Sequence, residues 1–266
     1  MLDPVENFIE PSSWPLKIFT FGRFSLIRDG TPVIFAGKVP KRPLELLMAL
    51  IALGGRDVAE KQLSDHLWPN ANWQEAHRAF TITLHRLRRL LGSGKFIELH
   101  EGRVTLDSGN CWVDVWAFER LAGKAEASLR KERQHEAVGT AIGVAQQAIA
   151  LYRGDFLAGD ADRPWAASRR ERLRRRLLRL VAMVGRAYEE QGAWDKAADC
   201  YLRGLDASEL AEELYQCLIH CYHRLGRHGE IASIYQRCHK ALALRGIKPS
   251  SRTRAIYERA VHENRD

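Results

Sequence analysis

Three residues in the second half of this chain recur at one fixed spacing. The set is two tyrosines with a glycine between them, and its two copies stand 34 residues apart: Tyr188, Gly192 and Tyr201, then Tyr222, Gly226 and Tyr235. A period of 34 residues is typical of a helical-hairpin repeat, in which aromatic side chains fill the groove between packed helices and glycine forms the tight turn. Because one such hairpin cannot bury its own apolar face, the chain is constrained to stack its helices side by side.

The segments around this recurrence have the apolar spacing of helices. Gly185, Trp194 and Ala197 also stand where a tetratricopeptide (TPR) repeat has small or aromatic residues. We therefore predict an all-α, TPR-like domain over residues 113–266. Its helices are expected at about 115–123, 133–153, 164–191, 194–206, 209–225, 228–245 and 250–263.

The first hundred residues have a different pattern, with short alternating runs on both sides of three amphipathic helices. Asp29-Gly30 predicts the turn of a β-hairpin, and Glu101-Gly102 predicts another. Helices are expected at about 43–53 and 59–68, followed by a longer one from Trp73 to Leu91. Strands are expected at 16–21, 23–27, 32–35, 96–99 and 103–106.

This order of elements predicts a helix-turn-helix with a β-wing over residues 16–112. The predicted fold class is therefore mainly α, with an α+β winged helix-turn-helix before the helical repeats. Residues 1–15 have the composition of an acidic tail or linker, and they lack the basic and apolar regions of a secretory signal.

Bulk composition excludes few classes of function. The net charge of +8 suits a polyanionic partner, but both halves of the chain share it, so the local pattern must decide. The five cysteines are odd in number and irregularly spaced, which favours reduced thiols in the cytoplasm. No apolar run is long enough for a transmembrane helix, and no membrane partner is expected.

The third predicted helix, Trp73–Leu91, divides into two faces. Phe80, Leu84, Leu87 and Leu91 share one face and should pack into the core. Arginines on the other side could form bidentate hydrogen bonds to guanine or bind phosphates. The candidate DNA-contacting residues on that side and its flanks are Arg78, Thr81, Ile82, His85, Arg86, Arg88 and Arg89.

Two points about this helix stay open. The arginines could line an ordinary solvated face, although a helix-turn-helix before them and a hairpin after them favour DNA. Ile82 is the apolar member of the polar face, and it could meet a thymine methyl in the major groove or be partly buried against the first helix or the wing.

Several segments together resemble one family. They are LKIFTFGRFSL, PLELLMALIALGGRDVAEKQLSDHLWP, TLHRLRRLLG, CWVDVWAFERL and ALYRGDFLAG. In this order they resemble the SARP activators, which join an OmpR-like winged helix to a bacterial transcriptional activator domain (BTAD). The likeness runs from residue 16 to about 261. It is greatest to a subgroup in which this pair is the C-terminal part of a much larger regulator, often with an upstream ATPase module.

The resemblance implies a cytoplasmic, nucleoid-associated activator. Such a protein binds direct repeats in double-stranded promoter DNA, as a homodimer on DNA, and recruits RNA polymerase through its sigma factor. By position, DNA contacts are implied at Arg78, Thr83, His85, Arg86 and Arg88, with Trp68 on the backbone. The helical wheel favours Arg89 over Thr83. Arg103 of the wing could enter the minor groove. The implied polymerase-facing loop comprises Asn70, Ala71, Asn72 and Trp73.

Other clusters carry weaker signals. GSGK at 92–95 lacks the upstream glycine of a phosphate-binding loop. Cys217, His220, Cys221 and His223 have the residue types of a metal or redox site, but the repeat register favours core packing. The arginine-rich run 169–179 is either a solvated face or a second contact to DNA or polymerase. No catalytic constellation, metal site or cofactor is predicted.

Two alternatives remain for the function. The chain could be a TPR-type protein-interaction adaptor whose winged helix contacts protein rather than DNA. It could also be the output end of an ATP-dependent switch, which concerns control and is compatible with DNA binding.

Overall fold

A computed structural model describes residues 14–34, 40–131, 135–160 and 163–262 of the chain. The chain divides into two units, each with its own internal contacts. The first unit contains Met1–Glu119 and Ala150–Leu173, and the second contains Arg120–Ile149 and Arg174–Asp266. Within the described residues, no helix is both long and apolar enough to cross a membrane.

The first sheet of the first unit begins with the predicted hairpin. Strand β1 (Leu16–Phe19) pairs antiparallel with β2 (Ser25–Arg28), which pairs with the short β3 (Thr31–Pro32). Asp29 and Gly30 both have positive φ, 48° and 77°, as the favoured two-residue hairpin turn requires. The hairpin is confirmed, with strands shorter than predicted. Part of the strand predicted at 32–35 lies outside the described residues.

The helix-turn-helix and its wing follow in the predicted order. The helices are α1 (Lys41–Ala52), α2 (Glu60–Leu67) and α3 (Trp73–Leu91). The wing strands β5 (Ile97–His100) and β6 (Arg103–Leu106) pair antiparallel. The sequence pattern missed β4 (Val58–Ala59), which extends this sheet to three strands by pairing with β6. Leu47, Ile51, Leu63, Phe80 and Leu87 are fully buried in this unit.

The first sheet is completed by residues far along the chain. Strand β7 (Cys111–Val113) pairs in parallel with β1, so the proposed domain boundary at 112/113 passes through this strand. Asp114 follows β7 and is buried. Its carboxylate accepts hydrogen bonds from the backbone N–H of Thr20 (2.7 Å), Phe21 (2.9 Å) and Val115 (2.7 Å), and from the Thr20 hydroxyl (2.6 Å).

The segment Ala150–Leu173 also belongs to the first unit, although the pattern predicts it within the helical domain. Phe156 forms an isolated antiparallel bridge with Phe21, and the Leu157 N–H donates to the Thr20 carbonyl oxygen at 2.8 Å. Tyr152 packs its ring 4.7 Å from that of Phe21. These pairings need residues about 135 positions apart in the chain, and local sequence cannot reveal them.

Helices make up the regular structure of the second unit. The helix predicted at 115–123 continues to Lys131 through Gly123, because Ala122 and Ala125 keep one face of it buried. The other predicted helices are confirmed within a few residues at their ends. The helices after α3 are α4 (Asp114–Lys131), α5 (His135–Leu151), α6 (Pro164–Glu190), α7 (Trp194–Ala207), α8 (Glu212–Arg224), α9 (His228–Ala243) and α10 (Ser251–His262).

The 34-residue recurrence has a structural counterpart in two identical turns. At the end of α6 the Ala193 N–H donates to the Tyr188 carbonyl oxygen at 2.9 Å; at the end of α8 the Arg227 N–H donates to the Tyr222 carbonyl oxygen at 2.8 Å. Gly192 and Gly226 hold φ values of 71° and 68° in these turns. This is the glycine-dependent Schellman ending of a helix, and it turns the chain into the next helix of each hairpin.

The contact between α6 and α7 depends on a glycine. A Cβ atom added to Gly185 would lie 2.2 Å from the ring of Tyr201, which is fully buried and donates its hydroxyl to the Glu189 carboxylate at 2.8 Å. The glycine therefore allows the aromatic ring to lie against the helix backbone, as the repeat pattern predicts.

We expect Asp114→Ala to destabilise the first unit by about 3 kcal/mol, because it leaves four donors without their buried acceptor. The matched control is Asp65→Ala, which removes an exposed carboxylate from α2 and should change stability by less than about 0.5 kcal/mol. Urea unfolding followed by circular dichroism measures both. Equal midpoints for the two variants would contradict the structural role of Asp114.

Gly185→Ala should destabilise the second unit by about 1–3 kcal/mol, because the added methyl group overpacks the Tyr201 ring. Gly143→Ala is the matched control: a Cβ there meets nothing within 4 Å, and alanine is the better helix former by about 1 kcal/mol. Thermal unfolding should therefore shift in opposite directions for these two substitutions. A shift of the same sign in both would show that Tyr201 does not require the glycine.

Candidate nucleic-acid interface

Capping residues stand at both ends of helix α3. The Asn72 side chain accepts a hydrogen bond from the Glu75 N–H at 3.0 Å, and the Glu75 carboxylate accepts one from the Asn72 N–H at 3.2 Å. This reciprocal capping box satisfies two of the amide groups at the helix start. Gly92 ends the helix with φ 83°. The predicted bounds Trp73–Leu91 are confirmed, and the one acidic residue of α3 is committed to its N-terminus.

The two predicted faces of α3 are present. Phe80, Leu84, Leu87 and Leu91 are buried, with at most 3% of each residue exposed. The exposed residues on the opposite side carry basic, hydroxyl and apolar side chains: Arg78, Thr81, Ile82, His85, Arg86 and Arg89. A single helix thus holds the core of the winged helix with one side and presents a basic surface with the other.

Three arginines of this surface are available for a ligand. Among the described residues, no hydrogen bond or ion pair engages the guanidinium groups of Arg78, Arg86 and Arg89. Ile82 is 47% exposed between them. This half-exposed position of Ile82 is consistent with both interpretations that the sequence left open, which are contact with a thymine methyl group and partial burial.

Thr83 does not belong to the exposed surface. It is 7% exposed, and its hydroxyl donates to the Ala79 carbonyl oxygen at 2.7 Å within the same helix. The implied DNA contact at Thr83 is therefore corrected, because its position on the helix turns it toward the buried side. Thr81 is exposed, although its hydroxyl donates to the His77 carbonyl oxygen at 3.0 Å.

Arg88 is half-buried and ties α3 to the wing. Its Nε and Nη2 atoms both donate to the Ile97 carbonyl oxygen, at 3.1 and 2.9 Å. Ile97 is the first residue of β5. Arg88 therefore fixes the wing relative to α3, whereas no such contact engages its neighbour Arg89 among the described residues.

The wing is anchored on its other strand as well. Arg103 Nη1 donates to the Asp57 carbonyl oxygen at 3.0 Å and lies 3.2 Å from its carboxylate. The Glu60 N–H donates to the Gly102 carbonyl oxygen at 2.8 Å, which joins the wing tip to the start of α2. The Arg103 side chain remains 55% exposed. The expected minor-groove residue is thus held in place by a carboxylate, and its charge is partly neutralised.

A contact that the sequence pattern did not indicate joins α2 to α3. His77 Nδ1 lies 2.5 Å from a carboxylate oxygen of Glu60, which is buried, while the His77 ring stacks on Trp73 at 5.8 Å. Trp73 is 54% exposed. The only sequence signal for this pairing is that Glu60 and His77 each lie near the N-terminal end of one of two adjacent helices.

The residues between α2 and α3 form a short exposed loop. Trp68 is half-buried at the end of α2, and its carbonyl oxygen accepts from the Ala71 N–H at 3.1 Å. Asn70 is exposed, whereas the Asn72 side chain is committed to the helix cap. Of the four residues expected to face polymerase, Asn70 and Trp73 offer the larger free surfaces.

The cysteines of the α8 cluster pack into the second unit, whereas His220 is exposed and His223 is half-buried. Burial raises the pKa of Cys217 and of Cys221, and the Cys221 thiol lies 3.7 Å from the Glu189 carboxylate. Across the described residues, no three metal-ligating side chains stand close enough to hold an ion. Raised thiol pKa values oppose both thiolate reactivity and metal ligation, which favours the core-packing interpretation.

The arginine-rich run of α6 is largely engaged with the protein itself. Arg169 pairs with Glu119 at 2.7 Å, Arg170 donates to the Phe156 carbonyl oxygen at 2.9 Å, and Arg176 pairs with Glu126 at 3.2 Å. Burial lowers the pKa of Arg169. These contacts favour a structural role for the run over a second contact with DNA or polymerase.

Comparison with known proteins identifies the helical part of the chain. Residues 113–260, more than half of its length, match the family model of the bacterial transcriptional activator domain. Over 253 residues the chain is 26% identical to regulatory protein AfsR of Streptomyces coelicolor, an alignment that covers 95% of this chain and 25% of AfsR.

The fold is also shared with a solved structure. Mycobacterium tuberculosis EmbR, in complex with a low affinity phosphopeptide, aligns with a TM-score of 0.68 at 21% identity, over 94% of this chain and 65% of that chain. At this identity the likeness concerns the fold alone. The chain spans a quarter of AfsR and somewhat less than two thirds of EmbR. The family match shows that the chain belongs to the bacterial transcriptional activator domain family, as its resemblance to the SARP activators predicted.

Proposed function

We propose that the chain binds double-stranded promoter DNA sequence-specifically by inserting α3 into the major groove. The observation that carries this proposal is the basic face of α3, on which Arg78, Arg86 and Arg89 are exposed without partners among the described residues. A major groove about 12 Å wide admits a helix of this kind.

The chemistry of the face suits both kinds of DNA contact. Arginine forms bidentate hydrogen bonds with the O6 and N7 atoms of guanine, and it also neutralises phosphates with release of counterions. Ile82 is half-exposed between these arginines, where its side chain would meet a thymine methyl group. The proposed surface comprises Arg78, Thr81, Ile82, His85, Arg86 and Arg89, and it omits the buried Thr83.

The wing and the end of α2 would position the protein on the backbone. Arg88 holds β5 against α3, so the wing and the recognition helix would approach DNA together. Arg103 would lie near a phosphate or the adjacent minor groove, and Trp68 near the backbone. In this arrangement Arg88 acts through the wing rather than on a base.

The activator role extends this proposal beyond DNA binding. Two copies on direct repeats would place the loop of Asn70, Ala71, Asn72 and Trp73 beside a promoter-bound polymerase. Trp73 supports a protein contact there, because it is an exposed aromatic residue held by stacking on His77. Such a regulator would act in the cytoplasm on the nucleoid.

Duplexes selected from a random-sequence library by the wild-type chain test DNA binding. We expect Arg86→Ala with Arg89→Ala to weaken binding to the selected duplex by about 100-fold, because each guanine contact contributes about 1–3 kcal/mol. Arg245→Ala with Lys248→Ala removes two exposed cations after α9 and should leave DNA affinity unchanged. Failure of the wild-type chain to enrich any duplex at low salt would favour the adaptor alternative.

Substitutions at Arg88 and Arg89 should distinguish a residue that positions the wing from one that contacts DNA. Arg88→Ala should lower the free energy of unfolding by about 1–2 kcal/mol, because the Ile97 carbonyl loses both donors. Arg89→Ala should leave stability within about 0.5 kcal/mol of the wild type while weakening binding to the selected duplex by about 1–3 kcal/mol, the contribution of one guanine contact. Thermal unfolding and titration with the selected duplex measure these effects. If both variants changed stability equally, the assignment of roles would be wrong.

A further inference from the structure

A groove lies between α8 and α10 in the second unit. Its cavity of about 440 Å³ is floored by the apolar side chains of Ile219 and Ala260. The basic residues that line it are His220, His223, Arg224 and Arg259. Helix α8 is the first helix of its hairpin, and α10 is the helix that follows that hairpin. Repeat arrays of this kind use the extended concave surface formed by successive repeats for binding.

The groove is lined by positive charge without a counter-charge. Arg224 and Arg259 are cationic at neutral pH, and no carboxylate is among the lining residues in the part of the chain that the structure describes. Neither Arg224 nor Arg259 forms an ion pair or hydrogen bond with another described residue. Cations gathered without counter-charges repel one another, so an anionic group would be favoured between them.

An aromatic side chain holds two of these basic groups at the groove. The Arg224 guanidinium lies 5.0 Å from the ring centroid of Trp194, and the His220 ring meets Trp194 edge-on at 5.5 Å. A cation–π contact orients the guanidinium but leaves its positive charge in place. Trp194 therefore holds the Arg224 guanidinium in position without neutralising its charge, as a carboxylate would.

Hydrogen bonds from α8 to α10 and to the residue before it hold the two sides of the groove together. The Gln216 amide donates to the Thr253 hydroxyl at 2.8 Å, which joins α8 to α10 directly. The Glu212 carboxylate accepts from the Ser250 N–H at 2.7 Å and from the Thr253 hydroxyl. The groove is therefore formed before any ligand binds, and binding would not need to order its walls.

We propose that this groove binds an acidic peptide segment of a partner protein, with carboxylates on both sides of an apolar side chain. The carboxylates would pair with Arg224 and Arg259 at the exposed rim, and the apolar side chain would cover Ile219 and Ala260. Small-molecule sites usually bury most of their ligand, whereas the cations here are exposed. A simple anion would leave the apolar floor uncovered.

The test is fluorescence anisotropy with the full chain and a fluorescein-labelled decapeptide of glutamates around two central leucines. The wild-type chain should bind this probe, and added NaCl should weaken the binding. A peptide with lysine in place of glutamate should not bind. Replacing the leucines with serines should weaken binding, because the floor would lose its apolar partner.

Arg259→Ala should raise the dissociation constant of the acidic peptide about tenfold, the change expected for one charge-assisted contact. Arg252→Ala is the matched control, because it removes an exposed arginine from the same helix outside the groove. Arg224→Gln keeps a long polar side chain and should show a similar loss. Circular dichroism checks that each variant keeps its helices.

Several outcomes would overturn the proposal. Absence of binding at about 1 mM peptide is one, and equal loss in Arg259→Ala and Arg252→Ala is another. Displacement of the peptide by millimolar inorganic phosphate would indicate a simple anion site. Displacement by a short DNA duplex with the same dependence on Arg259 would indicate nucleic acid. These readouts do not depend on the DNA-binding face of α3, whose variants should bind the peptide normally.

Discussion

The carboxylate of Asp114 lies inside the first unit and accepts four hydrogen bonds, three of them from backbone N–H groups. Burial raises its pKa to about 6, and the hydrogen bonds oppose that increase, so the group is ionised at neutral pH. A buried charge is tolerated only when its hydrogen-bonding capacity is filled. This requirement holds the end of β1, the strand β7 and the start of α4 in one arrangement, and the pairing of β7 with β1 in the first sheet depends on it.

In the same unit, one helix both packs into the core and presents a basic surface. The apolar side of α3 is buried in the core, so its basic side must face outward in a fixed orientation. Capping at Asn72 and Gly92 fixes where the helix begins and ends. Arg88 and Arg103 then hold the wing against neighbouring backbone groups, which gives the exposed arginines a rigid setting. Rigid elements position recognition residues more accurately than loops do.

The sequence predicts local features well and distant pairings poorly. The bounds of α3 could be predicted because its caps and its apolar period are local signals, and the two hairpin turns could be predicted from Asp29-Gly30 and Glu101-Gly102. The pairing of β7 with β1 could not, because its partners lie about 95 residues apart and three residues carry no distinctive period. The roles of Arg88 and Thr83 also depend on tertiary packing, because both residues lie at the edge of the basic face of the helix. The position of β5 gives Arg88 its contact with the wing, and the burial of Thr83 removes it from the exposed surface.

A cleavage reagent attached to α3 tests most directly the proposal that this helix enters the major groove. An iron–EDTA group would be attached at position 82 in Ile82→Cys, and cleavage would be mapped on a duplex selected by the wild-type chain. If α3 enters the major groove, cuts should cluster within each repeat on both strands, and the same reagent attached at position 252 in Arg252→Cys should not produce them. Uniform cleavage from position 82, or the same pattern from both positions, would contradict the account.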